Sequence, residues 1–186
     1  MSTAFVVIVA VAAAGVGAAL GGVVWRRRSG LTTPSCERIL LPFTGPGVSR
    51  RVLDAALRLA AAEHATLMPA YLARVPRHLP LDAPLPRQSD IAMPVLEAIE
   101  QAATREDVPV DARVARGRTF RHALEGLLDE EQVDRVLVPA SGDPHAGLSG
   151  DDLVWLLERA PAEVLILRPR PQENGRVSAA TVDGHF

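Results

Sequence analysis

The sequence predicts an α/β fold in which a parallel sheet carries helices on both faces, preceded by a single membrane-spanning helix. From Arg38 onward, short apolar runs alternate with longer amphipathic segments. That alternation is typical of a parallel sheet covered by helices. Ahead of it, residues 4–25 form an apolar stretch without any charged residue. Its length matches the roughly 20 apolar residues that a helix needs to cross a bilayer.

The charges around this apolar stretch predict how the chain is oriented. Arg26, Arg27 and Arg28 follow it directly, whereas no charged side chain precedes it. Because basic flanks stay in the cytoplasm, we expect the N-terminus outside and the rest of the chain in the cytoplasm. A secretory signal would need a basic segment first and a shorter apolar core. The pattern therefore favours an uncleaved anchor over residues 1–28, with a linker over 29–36.

Small residues at four-residue spacing run along the predicted anchor. Gly17 and Gly21 form a GxxxG pair, which lets the backbones of two membrane helices approach closely. The pair predicts a helix-packing face for an integral membrane protein or transporter. The alternative is that Gly and Ala are simply frequent in this span.

Composition excludes several classes of function. All 20 basic residues are arginine, so the chain has no lysine for a P-loop, a Schiff base or a general base. Scattered arginines and few aromatic residues disfavour binding to nucleic acid. The five histidines show no metal-ligand spacing, and no catalytic triad can be argued from the sequence. The lone Cys36 fits a reducing compartment. We therefore expect no metal and no enzymatic activity.

Each element of the sheet follows from a local pattern. The strands are predicted at 38–43, 66–75, 110–115, 135–138 and 163–167. The third of these alternates apolar and polar residues, which indicates a half-exposed strand at a sheet edge. Helical spacing of apolar residues predicts helices over 49–63, 91–106 and 151–159, and a further helix up to Gln132 with Thr119 as its N-cap. Residues 76–88 are rich in proline and predict a loop; residues 171–186 predict a disordered tail.

Ligands of open parallel sheets bind beyond the carboxyl ends of the strands, where the strand order reverses. The loops that follow Phe43 and Val138 are therefore the candidate site. Arg116 and Arg118, which flank Gly117 after the third strand, are expected at the rim of the same pocket. Side chains of this kind at a loop edge either hold an anion or are merely solvated.

Both loops resemble a known family. The run RILLPFTGPGVSRRVLDAALRLAAAEHATL and the later segments DRVLVPASG and LVWLLERAPAEVLILRP are similar to universal stress protein domains over residues 37–170. The resemblance implies a Rossmann-like, five-stranded sheet of order 3-2-1-4-5. It also implies a role in the stress response, dimers that commonly form through the last strand, and attachment of some members to membrane transporters.

The family members that bind ATP carry an aspartate after the first strand and a loop G-x2-G-x9-G-S/T after the fourth. Thr44, followed by Gly45, stands at the aspartate position, and Pro139 replaces the first loop glycine. Gly142 and Gly150 remain, but only seven residues separate them, and Asp151 replaces the hydroxyl residue. The resemblance therefore predicts degenerate nucleotide-loop positions at Thr44, Gly45, Gly142, Gly150 and Asp151.

Helix capping and charge also predict weak binding of a nucleotide at this loop. Ser149 and Asp152 have the S-x-x-D spacing that lets a chain cap its own helix, which leaves fewer amides for phosphate. A carboxylate about 4 Å from a phosphate charge costs about 4 kcal/mol at an effective dielectric constant of 20. We expect a non-catalytic regulatory or scaffold module without a bound cofactor, or a structural accessory subunit. The alternative is a stress sensor that binds ATP with magnesium and has slow ATPase activity.

Overall fold

The computed structural model of this chain describes residues 36–140 and 148–168 and the backbone of 176–177. The predicted span over residues 4–25, with Gly17 and Gly21, lies outside the described residues, as does Gly142. Among the helices of the described part, none is both long and apolar enough to cross a membrane.

Five parallel strands form the central sheet. They are β1 (Arg38–Phe43), β2 (Thr66–Arg74), β3 (Arg113–Gly117), β4 (Arg135–Pro139) and β5 (Glu163–Leu167). Their order across the sheet is β3-β2-β1-β4-β5, and every neighbouring pair is parallel. This confirms the predicted α/β class and the order 3-2-1-4-5.

Helices cover both faces of the sheet, as predicted. They are α1 (Arg50–Glu63), α2 (Pro86–Arg105), α3 (Phe120–Glu130) and α4 (Gly150–Arg159). Successive residues of β1 point to opposite faces, so Leu41 packs with α1 and α2 while Leu40 packs with α3 and α4. Both leucines have 0% of their surface exposed. Each would contribute about 2 kcal/mol of burial energy.

Two boundaries differ from the sequence prediction. Helix α2 begins at Pro86, inside the proline-rich segment predicted as a loop, because the first turn of a helix tolerates a residue without an N–H. The third strand begins at Arg113, and Val110 contributes only an isolated bridge to Leu67. Its predicted place at an edge of the sheet is confirmed.

Part of the predicted tail has regular structure. Arg176 and Val177 pair antiparallel with Val48 and Ser49, directly ahead of α1. The prediction of disorder from composition does not hold for these two residues, because their pairing partners lie far away in the sequence. The rest of residues 171–186 lies outside the described part.

Charged groups organise the amino ends of the central strands. Arg135 bridges Glu63 of α1, at 2.5 Å, and Glu163 of β5, at 2.6 Å. The Asp134 carboxylate accepts the backbone N–H groups of residues 37 and 38, at 2.7 and 2.9 Å. Beside them, Cys36 is 6% exposed. Burial raises the pKa of its thiol to about 11 against the opposing effect of Arg135, so the thiolate is scarce and nucleophilic chemistry there is disfavoured.

Candidate functional site

The carboxyl ends of β1 and β4 lie side by side where the strand order reverses. Thr44 follows β1 directly and is half-buried. Gly45 adopts a φ of 81°, a left-handed conformation that favours glycine. On the other side, Pro139 ends β4 without an N–H to offer, and the Ala140 N–H donates to the Leu167 carbonyl at 2.7 Å. Neither of these two residues therefore offers a free amide to a ligand.

Two backbone N–H groups at the amino end of α4, those of Ser149 and Asp152, are bonded by side chains of the same turn. Ser149 is the N-cap, and its hydroxyl accepts the Asp152 backbone N–H at 3.2 Å. In return, the Asp152 carboxylate accepts the Ser149 backbone N–H at 3.0 Å and lies 2.7 Å from its hydroxyl. This reciprocal capping box confirms the S-x-x-D prediction. It occupies amides that would otherwise be open to an anion.

Arg121 of α3 contacts the first turn of α4 from the neighbouring helix. Its Nη2 lies 3.1 Å from an Asp152 carboxylate oxygen and also donates to the Asp151 carbonyl at 3.2 Å. The guanidinium stacks over Trp155 at 5.4 Å from the ring centroid, an arrangement typical of a cation–π contact. The sequence offered no signal for this pairing, since 31 residues separate the arginine from the aspartate.

The electrostatics of the first turn of α4 favour a charged carboxylate. Burial alone raises the pKa of Asp152, but hydrogen bonds from Ser149 and Arg121 outweigh it and hold the pKa below its ordinary value. Asp151, which is exposed, adds a second carboxylate to the same turn. Two carboxylates and one arginine leave this helix end with a formal charge of −1, which opposes a phosphate group.

An aromatic pair lies beneath the Thr44 loop. Phe43, the last residue of β1, meets Tyr71 of β2 edge-on, with ring centroids 5.6 Å apart. Both side chains are 5% exposed, and burial raises the pKa of Tyr71. Nothing in the sequence marks this pair, because each residue lies in a run of apolar strand residues.

The β3–α3 connection carries the second group of predicted rim residues. Arg116 donates to the carbonyls of Asp82 and Ala83, at 3.0 and 3.4 Å. Arg118 donates to those of Pro76 and Leu79, at 2.7 and 2.8 Å. The two arginines are therefore not merely solvated. These four bonds go to the β2–α2 loop and hold it in place, and none of them goes to the Thr44 loop.

The backbone between these arginines is tightly packed. A Cβ added to Gly117 would lie 2.3 Å from the Ala123 amide nitrogen, so glycine is required for this close approach. Thr119 then caps α3 by accepting the His122 N–H at 3.1 Å, as predicted.

The fold thus brings Thr44, Gly45, Gly150 and Asp151 to the carboxyl edge of the sheet, and Gly142 lies outside the described residues. Within the described residues, no group of three or more His, Cys, Asp or Glu side chains is placed to hold a metal ion.

A family model decides the relationship of the chain to known proteins. The model described as the universal stress protein family matches residues 36–168. The chain belongs to this family. Its universal stress protein domain coincides with the sheet and four helices described above. No curated protein matches the chain.

Solved structures resemble the domain in fold. A universal stress protein from Burkholderia pseudomallei is 23% identical with a TM-score of 0.54, the match covering 72% of this chain and 97% of that one. A universal stress protein in complex with cAMP is 20% identical with a TM-score of 0.52, covering 73% and 99%. A family protein from Arabidopsis thaliana with AMP bound is 8% identical with a TM-score of 0.50, covering 75% and 95%. At these identities the likeness concerns the fold.

Proposed function

We propose that this universal stress protein domain is a non-catalytic regulatory or scaffold module, held at a membrane by residues 1–28, with a degenerate nucleotide site. The proposal depends above all on the capping box between Ser149 and Asp152. An amide that is already bonded to Ser149 or Asp152 has little to gain from a phosphate oxygen, and Arg121 is already paired.

A nucleotide would have to displace interactions that the chain makes within itself. Breaking the cap costs about 1 kcal/mol, by comparison with N-cap substitutions. The ligand would then meet the uncompensated charge of Asp151 at close range. Magnesium that bridges this carboxylate to a phosphate is the route by which ATP would still bind.

Titration calorimetry with Mg-ATP, on the full chain in a neutral detergent, tests this proposal. We expect no saturable heat up to about 1 mM nucleotide, the concentration at which binding is worth only about 4 kcal/mol. The double substitution Asp151→Ser with Asp152→Ala removes both carboxylates, so it should bind more tightly than the natural chain. Micromolar affinity of the natural chain for Mg-ATP would refute the proposal.

The second candidate function is a nucleotide-binding stress sensor. The observation that favours it is that two structural relatives hold AMP or cAMP. A monophosphate needs fewer amides than a triphosphate, so AMP and cAMP belong in the same titration. Saturable heat with either one, and none with Mg-ATP, would support this candidate.

The membrane part of the proposal comes from the sequence. We infer that residues 4–25 cross the bilayer with the N-terminus outside and the domain in the cytoplasm, since the arginines follow the span. The GxxxG pair Gly17 and Gly21 supports an integral membrane partner, such as a transporter that the domain serves as an accessory subunit. Three exposed apolar side chains support a homodimer: Val154 and Leu157 of α4 are 56 and 60% exposed, and Ile166 of the edge strand β5 is 39% exposed.

Purification from membranes in mild detergent separates these two contacts. We expect the Gly17→Leu, Gly21→Leu double variant to lose a co-purifying membrane protein, because leucine keeps the helix backbones apart. Leu157→Glu is the matched variant on the domain, and it should keep that partner but dissociate a homodimer in sedimentation analysis. Release of the natural chain by alkaline carbonate without detergent would contradict the membrane anchor.

A further inference from the structure

Arg116 and Arg118 keep donors that no described group uses. Their four bonds to the β2–α2 loop all start at Nη1. Within the described part of the chain, the Nε and Nη2 groups of both side chains have no protein partner. These two nitrogens form the edge of a guanidinium that binds two oxygens of one anion at once.

The bonds to the loop hold these edges in place. An arginine side chain normally loses considerable conformational entropy when it binds a ligand, and that cost weakens binding. Here carbonyls of the β2–α2 loop already fix the Nη1 group of each arginine; Arg118 is half-buried and Arg116 is exposed. The two side chains are therefore preorganised without their bidentate edges being occupied.

The charge of the pair is not cancelled locally. All four acceptors are neutral carbonyls, and neither arginine forms an ion pair with any described carboxylate. The contact between Arg116 and Asp82, at 3.0 Å, is to the Asp82 carbonyl and not to its carboxylate. Asp82 is the acidic residue of the β2–α2 loop. Helix α3 begins two residues after Arg118 and has no acidic residue in its first turn. Its positive end adds to the attraction for an anion.

We infer that Arg116 and Arg118 form a binding site for a phosphate monoester, distinct from the degenerate loop at α4. A phosphate monoester carries two charges and three terminal oxygens at neutral pH, which suits two guanidinium edges better than a single carboxylate does. The group has two sources with the same chemistry: a soluble phosphorylated metabolite and the headgroup of phosphatidic acid.

Inorganic phosphate is the probe for this site. The full chain in neutral dodecyl maltoside is titrated with phosphate while ³¹P linewidths are recorded, so the measurement does not depend on the proposed anchor. We expect saturable broadening that weakens at least tenfold in Arg116→Gln and in Arg118→Gln. The control is Arg105→Gln, an exposed arginine in the last turn of α2, which should bind phosphate like the natural chain.

Arg116→Lys keeps the charge and removes the bidentate edge, so it should also weaken binding, while thermal unfolding reports whether the loop stays folded. Absence of broadening in the natural chain would overturn the inference, and so would phosphate binding by Arg116→Gln and Arg118→Gln as tight as that of the natural chain.

Vesicles separate the two sources. Phosphatidylcholine vesicles with about one-fifth phosphatidic acid should retain the natural chain more strongly than Arg116→Gln if the ligand is a headgroup. Equal retention, combined with arginine-dependent phosphate binding, assigns the site to a soluble ester. Residues 4–25 are the same in the natural chain and in Arg116→Gln, so any contribution they make to retention by the vesicles is equal in both.

Discussion

Replacing Gly117 with alanine is expected to lower the free energy of unfolding by about 3 kcal/mol, at the upper end of the usual range for overpacking. The added Cβ would lie 2.3 Å from the Ala123 nitrogen and 2.8 Å from both the Ala123 Cα and the Thr119 carbonyl oxygen. These are backbone atoms, so no side-chain rotation relieves the contact. The connection between β3 and α3 must shift instead.

The shift would also disturb the β2–α2 loop, because the Gly117 carbonyl accepts the Val75 N–H at 2.8 Å. Urea denaturation followed by circular dichroism measures the loss. Gly126→Ala, in the following helix α3, is the control, since a Cβ added there would meet no neighbouring residue within 4 Å. It should raise stability by up to about 1 kcal/mol through helix propensity. If the two variants unfold at the same urea concentration, the close approach at Gly117 is not what constrains the connection.

Asp152→Ala is expected to cost about 2 kcal/mol at pH 7, from the lost cap and the lost ion pair with Arg121. The side chain is 20% exposed, so solvent screens the pair only in part. The variant leaves the Ser149 N–H and one side of Arg121 without their acceptor. Thermal unfolding of the natural chain and the variant in parallel measures the difference.

The difference should depend on pH in a defined direction. Burial raises the pKa of Asp152, but bonds from Ser149 and Arg121 outweigh it and hold the pKa below its ordinary value of 3.8. A carboxyl with a lowered folded pKa stabilises fully above its unfolded pKa, and that stabilisation disappears as the pH falls through the folded value. The two stability curves should therefore stay apart above about pH 4 and converge below it.

Asp151→Ala is the control for this experiment. Asp151 lies in the same turn but is exposed, so its loss should cost only a few tenths of a kcal/mol through the helix dipole. A cost as large as that of Asp152→Ala would mean that general charge, rather than the capping box, stabilises this helix end.

Sequence patterns predicted the features that depend on residues close together in the chain. The alternation around Val110 and Val114 gave the edge strand, and the S-x-x-D spacing gave the cap at Ser149, because both depend on neighbours a few residues away. The strand order came from family resemblance. The start of α2 at Pro86 was missed, because proline-rich composition predicts a loop even where the ring fits a first turn.

The other unpredicted features join segments that are distant in the sequence. Arg121 reaches Asp152 from another helix, and Arg116 and Arg118 reach backward to carbonyls 33 to 42 residues away. The antiparallel pairing of Val48 and Ser49 with residues 176–177 is of the same kind. None of these contacts has a periodicity or spacing of its own. They depend on the completed sheet, which places the loops that carry these residues together.

The buried thiol just ahead of β1 can report when the amino end of this strand separates from its neighbours. Cys36 is the single cysteine of the chain and is 6% exposed, so an alkylating reagent at neutral pH reaches it only when the amino end of β1 separates from its neighbours. The rate of alkylation then measures the breathing of the sheet's central strand at native conditions. No label or substitution has to be introduced for this measurement.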